Sequence, residues 1–303
     1  MFPIIPANSV VETAKNQEGI FGFGYLPGYG VSMTNLVSNT GVVSSDTAGV
    51  GTARWALAAC EYGEDTGIFG YGADGSSNVS VTNLVSNTGV VASDQAATTG
   101  TARNGPAACE YGGDKGIFGY GDVGSPTYQV SMTNLVSNTG VVASDTAGVG
   151  TSRQDLAACE YGEDKGIFGF GRGPGYATIV SMTNLVSNVG VVASDTAGVG
   201  TARYYIAACS YGDDKGIFGF GYGGSLRDVT NLVSNVGVVA SDTAGVGTAR
   251  SMISACEYGG DKGIFGTQRG NDVTNLVSNT GVIASDVAGV GTARTDAGAC
   301  SFN

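Results

Sequence analysis

The stretch of residues 166–209 reads GIFGFGRGPGYATIVSMTNLVSNVGVVASDTAGVGTARYYIAAC, and most of the chain consists of further copies of it. Its opening motif, GIFG, recurs at spacings of 47 to 50 residues. The six copies begin at Gly19, Gly67, Gly116, Gly166, Gly216 and Gly263. Each is followed by TNLVSN, an Arg and a Cys in the same order. A fixed period in this range is typical of propellers, solenoids and other repeat architectures. It is stronger evidence for the fold than any single residue.

Each copy contains four short segments with the composition of β-strands. In one copy these segments are residues 107–111 (strand A), 116–120 (B), 130–137 (C) and 141–144 (D). No window keeps a helical period of 3.6 residues, and glycines interrupt the chain at regular intervals, which disfavours helix. Four strands in a unit of this length predict one blade of a β-propeller. A β-solenoid is the rival architecture, but its rungs are usually shorter.

The two ends of the repeat region complement one another. The last copy stops after strand A at Cys300, Ser301 and Phe302, whereas the first copy starts at strand B with Gly19. Pairing of these strands would complete a shared blade and remove exposed sheet edges. We therefore predict an all-β, six-bladed propeller of four-stranded blades over residues 19–303, closed by its C-terminal strand. Residues 1–18 are predicted to be an arm or attachment segment, with a frayed terminus as the alternative.

Composition and charge exclude several classes of function. The net charge of −12 disfavours binding to nucleic acids and to anionic membranes. No apolar run is long enough to span a bilayer, and the N-terminus lacks the basic region of a signal peptide, so we expect synthesis in a cytoplasm without membrane insertion. The chain has no His, which removes the commonest metal ligand and general base. Six Cys, one per copy, are predicted to be reduced, buried thiols.

Two segments of the repeat differ between copies: the B–C loop, and the triplet that follows the repeated Arg. Because neighbouring strands run antiparallel, both segments should project from one face of a propeller. Tyr, Trp and Arg, which dominate binding hot spots, are abundant there. The predicted partner-binding residues are Trp55, Tyr25, Tyr29, Tyr128, Tyr176, Tyr204, Tyr205, Tyr222, Arg172, Arg227 and Arg269. Drift at tolerant surface loops is the alternative explanation.

The repeated acidic residues are more typical of structure than of chemistry. One Asp per copy, such as Asp145, suits a turn cap or a partner for the repeated Arg, with a calcium site as the alternative. The repeated Arg is predicted to tie neighbouring units together, with anion binding as the alternative. Acids that occur in one copy only, including Asp122, Asp155 and Asp296, carry no recognisable catalytic motif. We predict no catalytic residue, no metal and no cofactor.

The order of motifs resembles the kelch repeat. Arg153, the strand around Cys159, and Gly166 to Gly171 follow the kelch order of Arg, small-residue strand, Gly turn and hydrophobic strand. The kelch Gly-Gly pair is Gly-Phe/Tyr-Gly in five copies and is lost after Gly266, and the Trp of the kelch fourth strand is absent. The resemblance implies a six-bladed propeller whose variable loops contact a partner.

The near-identical units also look like tandem-repeat propellers encoded by bacteriophages. We therefore predict a non-enzymatic virion protein, such as a tail-fibre, receptor-binding or capsid-decoration protein. Its expected partners are a protein or a cell-surface glycan, together with other virion proteins. The alternative is a lectin-like propeller with equivalent glycan sites between its blades.

Overall fold

The computed structural model describes residues 17–96, 100–126, 128–266 and 272–302. Within these ranges the chain is all-β, and its one helical element is a short 3₁₀ turn at Pro174–Tyr176. The strands form six antiparallel sheets, and each sheet is built from the same three segments of the repeat. The repeat period therefore corresponds to one sheet. The all-β structure agrees with the absence of a helical period in the sequence.

Three kinds of strand occur, and we name them AACEY, GIFG and TNLV after the residues that most copies share. The AACEY strands are β3 (Ala58–Tyr62), β6 (Ala107–Tyr111), β9 (Ala157–Tyr161), β12 (Ala207–Tyr211), β15 (Ser254–Tyr258) and β19 (Gly298–Phe302). The GIFG strands are β1 (Glu18–Leu26), β4 (Thr66–Gly70), β7 (Lys115–Gly119), β10 (Lys165–Gly169), β13 (Lys215–Gly219) and β16 (Lys262–Gly266). The TNLV strands are β2 (Tyr29–Val37), β5 (Thr82–Val85), β8 (Thr133–Val136), β11 (Thr183–Val186), β14 (Thr230–Val233) and β17 (Val273–Val277).

The GIFG strand lies in the middle of each sheet. In the sheet of β9, β10 and β11, Ile167 pairs with Cys159 on one side and with Leu185 on the other. Ile167 and Phe168 are fully buried, because the neighbouring sheets cover both faces of the strand. A strand buried on both faces reads as a continuous apolar run, which explains why GIFG shows no polar alternation. The hydrophobic core therefore lies between the sheets.

The predicted fourth strand of each unit is wrong for five of the six sheets, which have three strands. In the copy whose GIFG motif begins at Gly116, only two isolated bridges mark its place, Thr133 with Thr146 and Val136 with Val142. Two residues separate these bridges on the TNLV strand and three on the outer segment, so the pairing is bulged. The amide of Asn134 donates to the carbonyl of Ala143 at 3.0 Å, in place of a continuous ladder. In the last sheet a short fourth strand does form at β18 (Val287–Ala288), just beyond residues 282–285, which correspond to the predicted segment.

The C-terminal strand pairs with the opening strand of the first repeat, as the sequence predicts. In this antiparallel pair, Glu18 of β1 faces Phe302 of β19 and Gly22 faces Gly298. The AACEY strands contact one another in the order β19, β3, β6, β9, β12 and β15, and β15 contacts β19 again. The region predicted as an arm, residues 1–18, lies outside the described residues except for Gln17 and Glu18.

A ring of backbone hydrogen bonds connects the segments that precede the AACEY strands. In each segment one N–H donates to the carbonyl of the corresponding residue in a neighbouring segment, at 2.8–3.1 Å. The ring consists of Ala56, Gly105, Asp155, Tyr205, Met252 and Asp296, and the N–H of Ala56 returns to the carbonyl of Asp296. All six have positive φ, which is strained for residues other than Gly. The strain is tolerated because each residue belongs to two bonds of the ring.

The repeated Arg, Asp and Thr form one network at each junction between sheets. Arg153 is fully buried and donates to the carbonyl of Phe170 at 2.9 Å and to the side chain of Asn184 at 2.6 Å. Asp195 accepts hydrogen bonds from the backbone N–H and the hydroxyl of Thr151. Its Oδ1 lies 3.9 Å from Nη1 of Arg153. The repeated acidic residue is therefore a turn partner and an ion-pair partner, as its position predicts.

All six cysteines are buried free thiols, which confirms the prediction made from their spacing. Cys159 faces the glycine of the next GIFG strand, where a Cβ on Gly216 would collide with its Sγ. Burial raises the pKa of the Cys209 thiol well above its usual value. These thiols therefore pack as small apolar side chains.

Candidate binding groove at the variable end

The segments that differ between copies lie together at one end of the AACEY strands. In five sheets the first residue of the triplet bridges to the third residue after the GIFG motif. These bridges are Thr295 with Tyr25, Trp55 with Ala73, Asn104 with Asp122, Gln154 with Arg172, and Tyr204 with Tyr222. We call this end of the molecule the variable end. The turns that barely change between copies follow the AACEY strands and lie at the opposite end.

An open groove of about 720 Å³ crosses the variable end. It is lined by the segments after β4 and β7, by the triplets before β3, β6 and β9, and by Tyr176 after β10. A volume of this order lies within the range of small-molecule sites, roughly 300–1,000 Å³. Three of the predicted partner-binding residues, Trp55, Tyr128 and Tyr176, line the groove.

Trp55 is half-buried and held against a second aromatic ring. Its ring centre lies 4.9 Å from that of Tyr25, and the two planes are tilted by 57°. Gly30 and Gly75 flank the indole. A Cβ on Gly30 would lie 2.9 Å from it, whereas a Cβ on Gly75 would be in ordinary contact at 3.5 Å. These neighbours fix the orientation of the tryptophan, so the groove has a rigid aromatic wall.

Five of the predicted tyrosines gather around Arg172. Its guanidinium carbon lies 4.8 Å from the ring centre of Tyr176 and 4.6 Å from that of Tyr204, which are cation–π distances. The ring centre of Tyr205 lies 5.8 Å from the same carbon. The ring centres of Tyr128 and Tyr176 are 5.9 Å apart, and those of Tyr222 and Tyr204 are 5.6 Å apart. Arg172 thus holds an aromatic cluster together beside the groove.

The remaining predicted residues stand apart from this arrangement. Tyr29 is 59% exposed in the hairpin of the first repeat and does not line the groove. Arg227 donates to the carbonyl of Gly223 within its own loop. Arg269 lies outside the described residues. The structure therefore brings together eight of the eleven predicted residues, in the Tyr25–Trp55 pair and the Arg172 cluster.

Asp122 is a buried polar residue of the groove that the sequence prediction did not include. It is 2% exposed, and its carboxylate accepts hydrogen bonds from the backbone N–H of Gly124 at 2.6 Å and from Gln129 at 3.1 Å. The Tyr176 hydroxyl donates to the same carboxylate, and this bond raises the pKa of Tyr176 to about 12. Asp122 therefore locks the tyrosine in place.

The network continues from Gln129 through two further buried side chains. Gln129 donates to Gln154 at 2.9 Å, and Gln154 donates to Asp155 at 2.9 Å. Arg172 completes the chain with an ion pair to Asp155 at 3.3 Å. Burial of polar groups is costly without partners, and in this network each buried side chain has at least one partner, whereas the Nε of Arg172 has none. The signal in the sequence was that Asp122, Gln129 and Gln154 occupy repeat positions where other copies have different residues.

Asp155 and Asp296 both line a cavity of about 70 Å³ that is formed by the segments preceding the AACEY strands. Burial raises the pKa of Asp296 to about 7, and the negative charge of Asp155 adds to the effect. Burial also raises the pKa of Asp155 to about 6, although Gln154 and Arg172 oppose the shift. These two carboxyls therefore titrate near neutral pH, in contrast to the repeated aspartates.

Replacing Asp296 by Asn should stabilise the protein at pH 8 by on the order of 2 kcal/mol relative to the wild type. The folded carboxyl keeps its proton up to about pH 7, whereas the unfolded one loses it near 3.8. The folded state thus binds more protons in between, and this group's stabilisation is lost as the pH rises from about 4 to 7. Asn cannot ionise and tolerates positive φ. Urea titrations at pH 4 and pH 8 measure the effect, and an equal difference at both values would contradict it.

Comparison with protein-family models and with curated proteins finds no match to this chain. The kelch and bacteriophage resemblances therefore stay predictions. In the described part of the chain, no helix has the length and apolarity needed to cross a membrane. Among the same residues, no three His, Cys, Asp or Glu side chains are grouped as metal ligands.

Proposed function

We propose that the six sheets are the blades of a closed β-propeller. The pairing of β19 with β1 supports this architecture, because it joins the last repeat to the first. The circular order of contacts among the AACEY strands and the ring of backbone hydrogen bonds through Ala56 and Asp296 support it independently. In this arrangement the variable end is one face of the propeller.

We further propose that the protein is a non-enzymatic recognition protein that binds its partner through the variable end. One observation carries the proposal: the groove is formed largely by positions that differ between copies, and it is lined by Trp55, Tyr128 and Tyr176. The one carboxylate that lines the groove among the described residues, that of Asp122, is occupied by hydrogen bonds. Its role is therefore to position Tyr176, which favours recognition over acid–base catalysis.

The context that we propose is a bacteriophage virion, as a tail-fibre, receptor-binding or capsid-decoration protein made in the host cytoplasm. The resemblance of the repeats supports this context. Its partners would be a protein or glycan of the cell surface and other virion proteins. Mass spectrometry of purified particles of the phage that encodes the chain should detect it, and its absence from the particles would remove the virion proposal only.

Equivalent glycan sites at the junctions between blades are less favoured. At each described junction the repeated Asp already accepts hydrogen bonds from the neighbouring Thr and from an Asn, as Asp195 does from Thr151 and Asn184. The repeated Arg is fully buried there. A repeated site would have to displace these bonds, whereas the groove offers an open surface.

Binding of the fluorescently labelled protein to bacterial cells, measured by flow cytometry, tests the recognition proposal. We expect the double variant Trp55→Ala/Tyr176→Ala to bind at least about tenfold more weakly, because aromatic anchors dominate recognition surfaces. The matched control is Val42→Ala/Val141→Ala, which changes two residues that are each 65% exposed and directly follow the turns after TNLV strands. Circular dichroism checks that both variants are folded. Equal binding by the two would refute a role for the variable end.

A further inference from the structure

Aromatic rings and carboxamide side chains line the groove together. Trp55 comes from the sheet of β3, β4 and β5, whereas Tyr128 and Tyr176 come from the next two sheets. Asn78, Asn104 and Gln154 line the same groove. Ser76 and Ser77 line its exposed rim. The ligand of such a groove needs apolar faces for the rings and many hydrogen-bonding groups for the amides and hydroxyls.

The carboxamides are held in fixed orientations. Asn104 donates to the side-chain oxygen of Asn78 at 2.8 Å, and Asn78 donates to the backbone carbonyl of Asp122 at 2.9 Å. Gln154 is held between Gln129 and Asp155. Polar side chains that are oriented in advance bind a ligand without a further entropic cost of ordering. Because these residues are not repeated in the other copies, the scaffold does not require them.

The charge of the groove excludes an anionic ligand. No Lys or Arg lines it among the described residues, and Arg172, which lies behind Tyr176, is engaged by Asp155. The carboxylate of Asp122 and the net charge of −12 would repel a polyanion. Sialylated and sulfated glycans therefore match the groove poorly, and an uncharged ligand matches it well.

The residue composition of the groove disfavours a peptide as the ligand. Among the described residues that line it there is no Leu, Ile, Phe or Met, and its small apolar residues are Ala73, Ala102 and Val123. Anchoring a peptide side chain requires an apolar pocket of the kind these residues do not build. A pyranose ring needs none, since its C–H face packs on an aromatic ring and its hydroxyls pair with amides.

We propose that the groove is a binding site for a neutral oligosaccharide, with Trp55 and the Tyr128–Tyr176 pair as stacking platforms and Asn78 and Asn104 as hydroxyl partners. This inference rests on the proposed recognition function and specifies its ligand. It differs from a lectin with equivalent sites because the groove is formed once, by residues that the other repeats lack.

The single tryptophan of the chain makes the proposal testable. A glycan array carrying neutral, sialylated and sulfated oligosaccharides first selects ligands. The neutral oligosaccharide that binds best is then titrated while Trp55 emission is recorded, and we expect a saturable change in the emission. Tyr128→Ala should weaken the affinity at least about tenfold. Tyr29→Ala, a matched control at an exposed tyrosine outside the groove, should change it less than about twofold.

Each outcome bears on the proposal in one direction. An array that binds only charged glycans, or no glycan, overturns it, as does equal weakening by the two tyrosine substitutions. If the array is negative while cell binding is lost in Trp55→Ala/Tyr176→Ala, recognition stands and the partner is a protein. If cell binding is independent of the groove, the recognition function fails as well.

Discussion

Replacing Arg153 by Met should lower the free energy of unfolding by about 3–5 kcal/mol. The guanidinium is fully buried and bonds to the carbonyl of Phe170 and the side chain of Asn184. It also stacks on the ring of Tyr120 in the neighbouring sheet, 4.1 Å from the ring centre. Met fills a similar volume but leaves these acceptors and the charge of Asp195 without their partner. Equilibrium unfolding in guanidinium chloride, with Asp195 still present, measures the loss.

The matched control is Lys165→Met, which removes the cation of an exposed ion pair. Lys165 pairs with Asp164, but its side chain is 40% exposed. Ion pairs of this kind contribute about 0–1 kcal/mol, because water already solvates both charges. The two variants lose the same charge and gain the same side chain. Equal destabilisation of the two would show that the buried Arg does not tie the sheets together.

The second large effect is expected at the contact between Gly169 and Phe218 in adjacent sheets. A Cβ on Gly169 would lie 2.7 Å from the ring carbon Cζ of Phe218, which is fully buried. Gly169→Ala should therefore cost about 1–3 kcal/mol through overpacking, and Phe218→Ala about 3–5 kcal/mol through the cavity it leaves. The double variant should cost less than the sum, because the new methyl group enters the space of the lost ring.

Urea titrations of the wild type, the two single variants and the double variant give the coupling free energy between Gly169 and Phe218. Gly173→Ala serves as the control, since its Cβ would make only ordinary contacts, at 3.5 Å or more, and its φ is −80°. We expect that variant to change stability by less than about 1 kcal/mol. Additive costs for Gly169 and Phe218 would show that the two residues do not share one space, contrary to the packing of the sheets.

The local elements of the fold were predictable because they depend on short-range patterns. The AACEY strand of residues 107–111 has the predicted bounds, since small apolar residues followed by a Gly turn specify a strand and its end. The fourth strand was not predictable in the same way. Residues 141–144 make one isolated bridge in place of a continuous pairing, and the Asn134 side chain bonds to Ala143 and Asp145 beside it. Strand propensity does not report such side-chain contacts.

The candidate groove shows the same division. The variable segments, and with them Trp55, Tyr128 and Tyr176, were found by comparing the copies with one another. The polar network was not, because its members lie far apart along the chain and belong to neighbouring sheets. Asn78 and Asp122 are separated by 44 residues and Gln129 and Gln154 by 25. Asp122 and Asp155 were noted as acids without a motif, because Tyr176 and Arg172 reach them only in the folded structure.

By itself the sequence determined the all-β class, the sheet as the repeating unit, the pairing of its ends and the segments that vary. These follow from periodicity and composition, which act along the chain. The tertiary structure alone decided which variable residues meet. Arg172 gathers tyrosines from three repeats, and Asp122 holds Tyr176 across a junction between sheets. Such contacts depend on how neighbouring sheets pack, and no pattern within one repeat encodes that geometry.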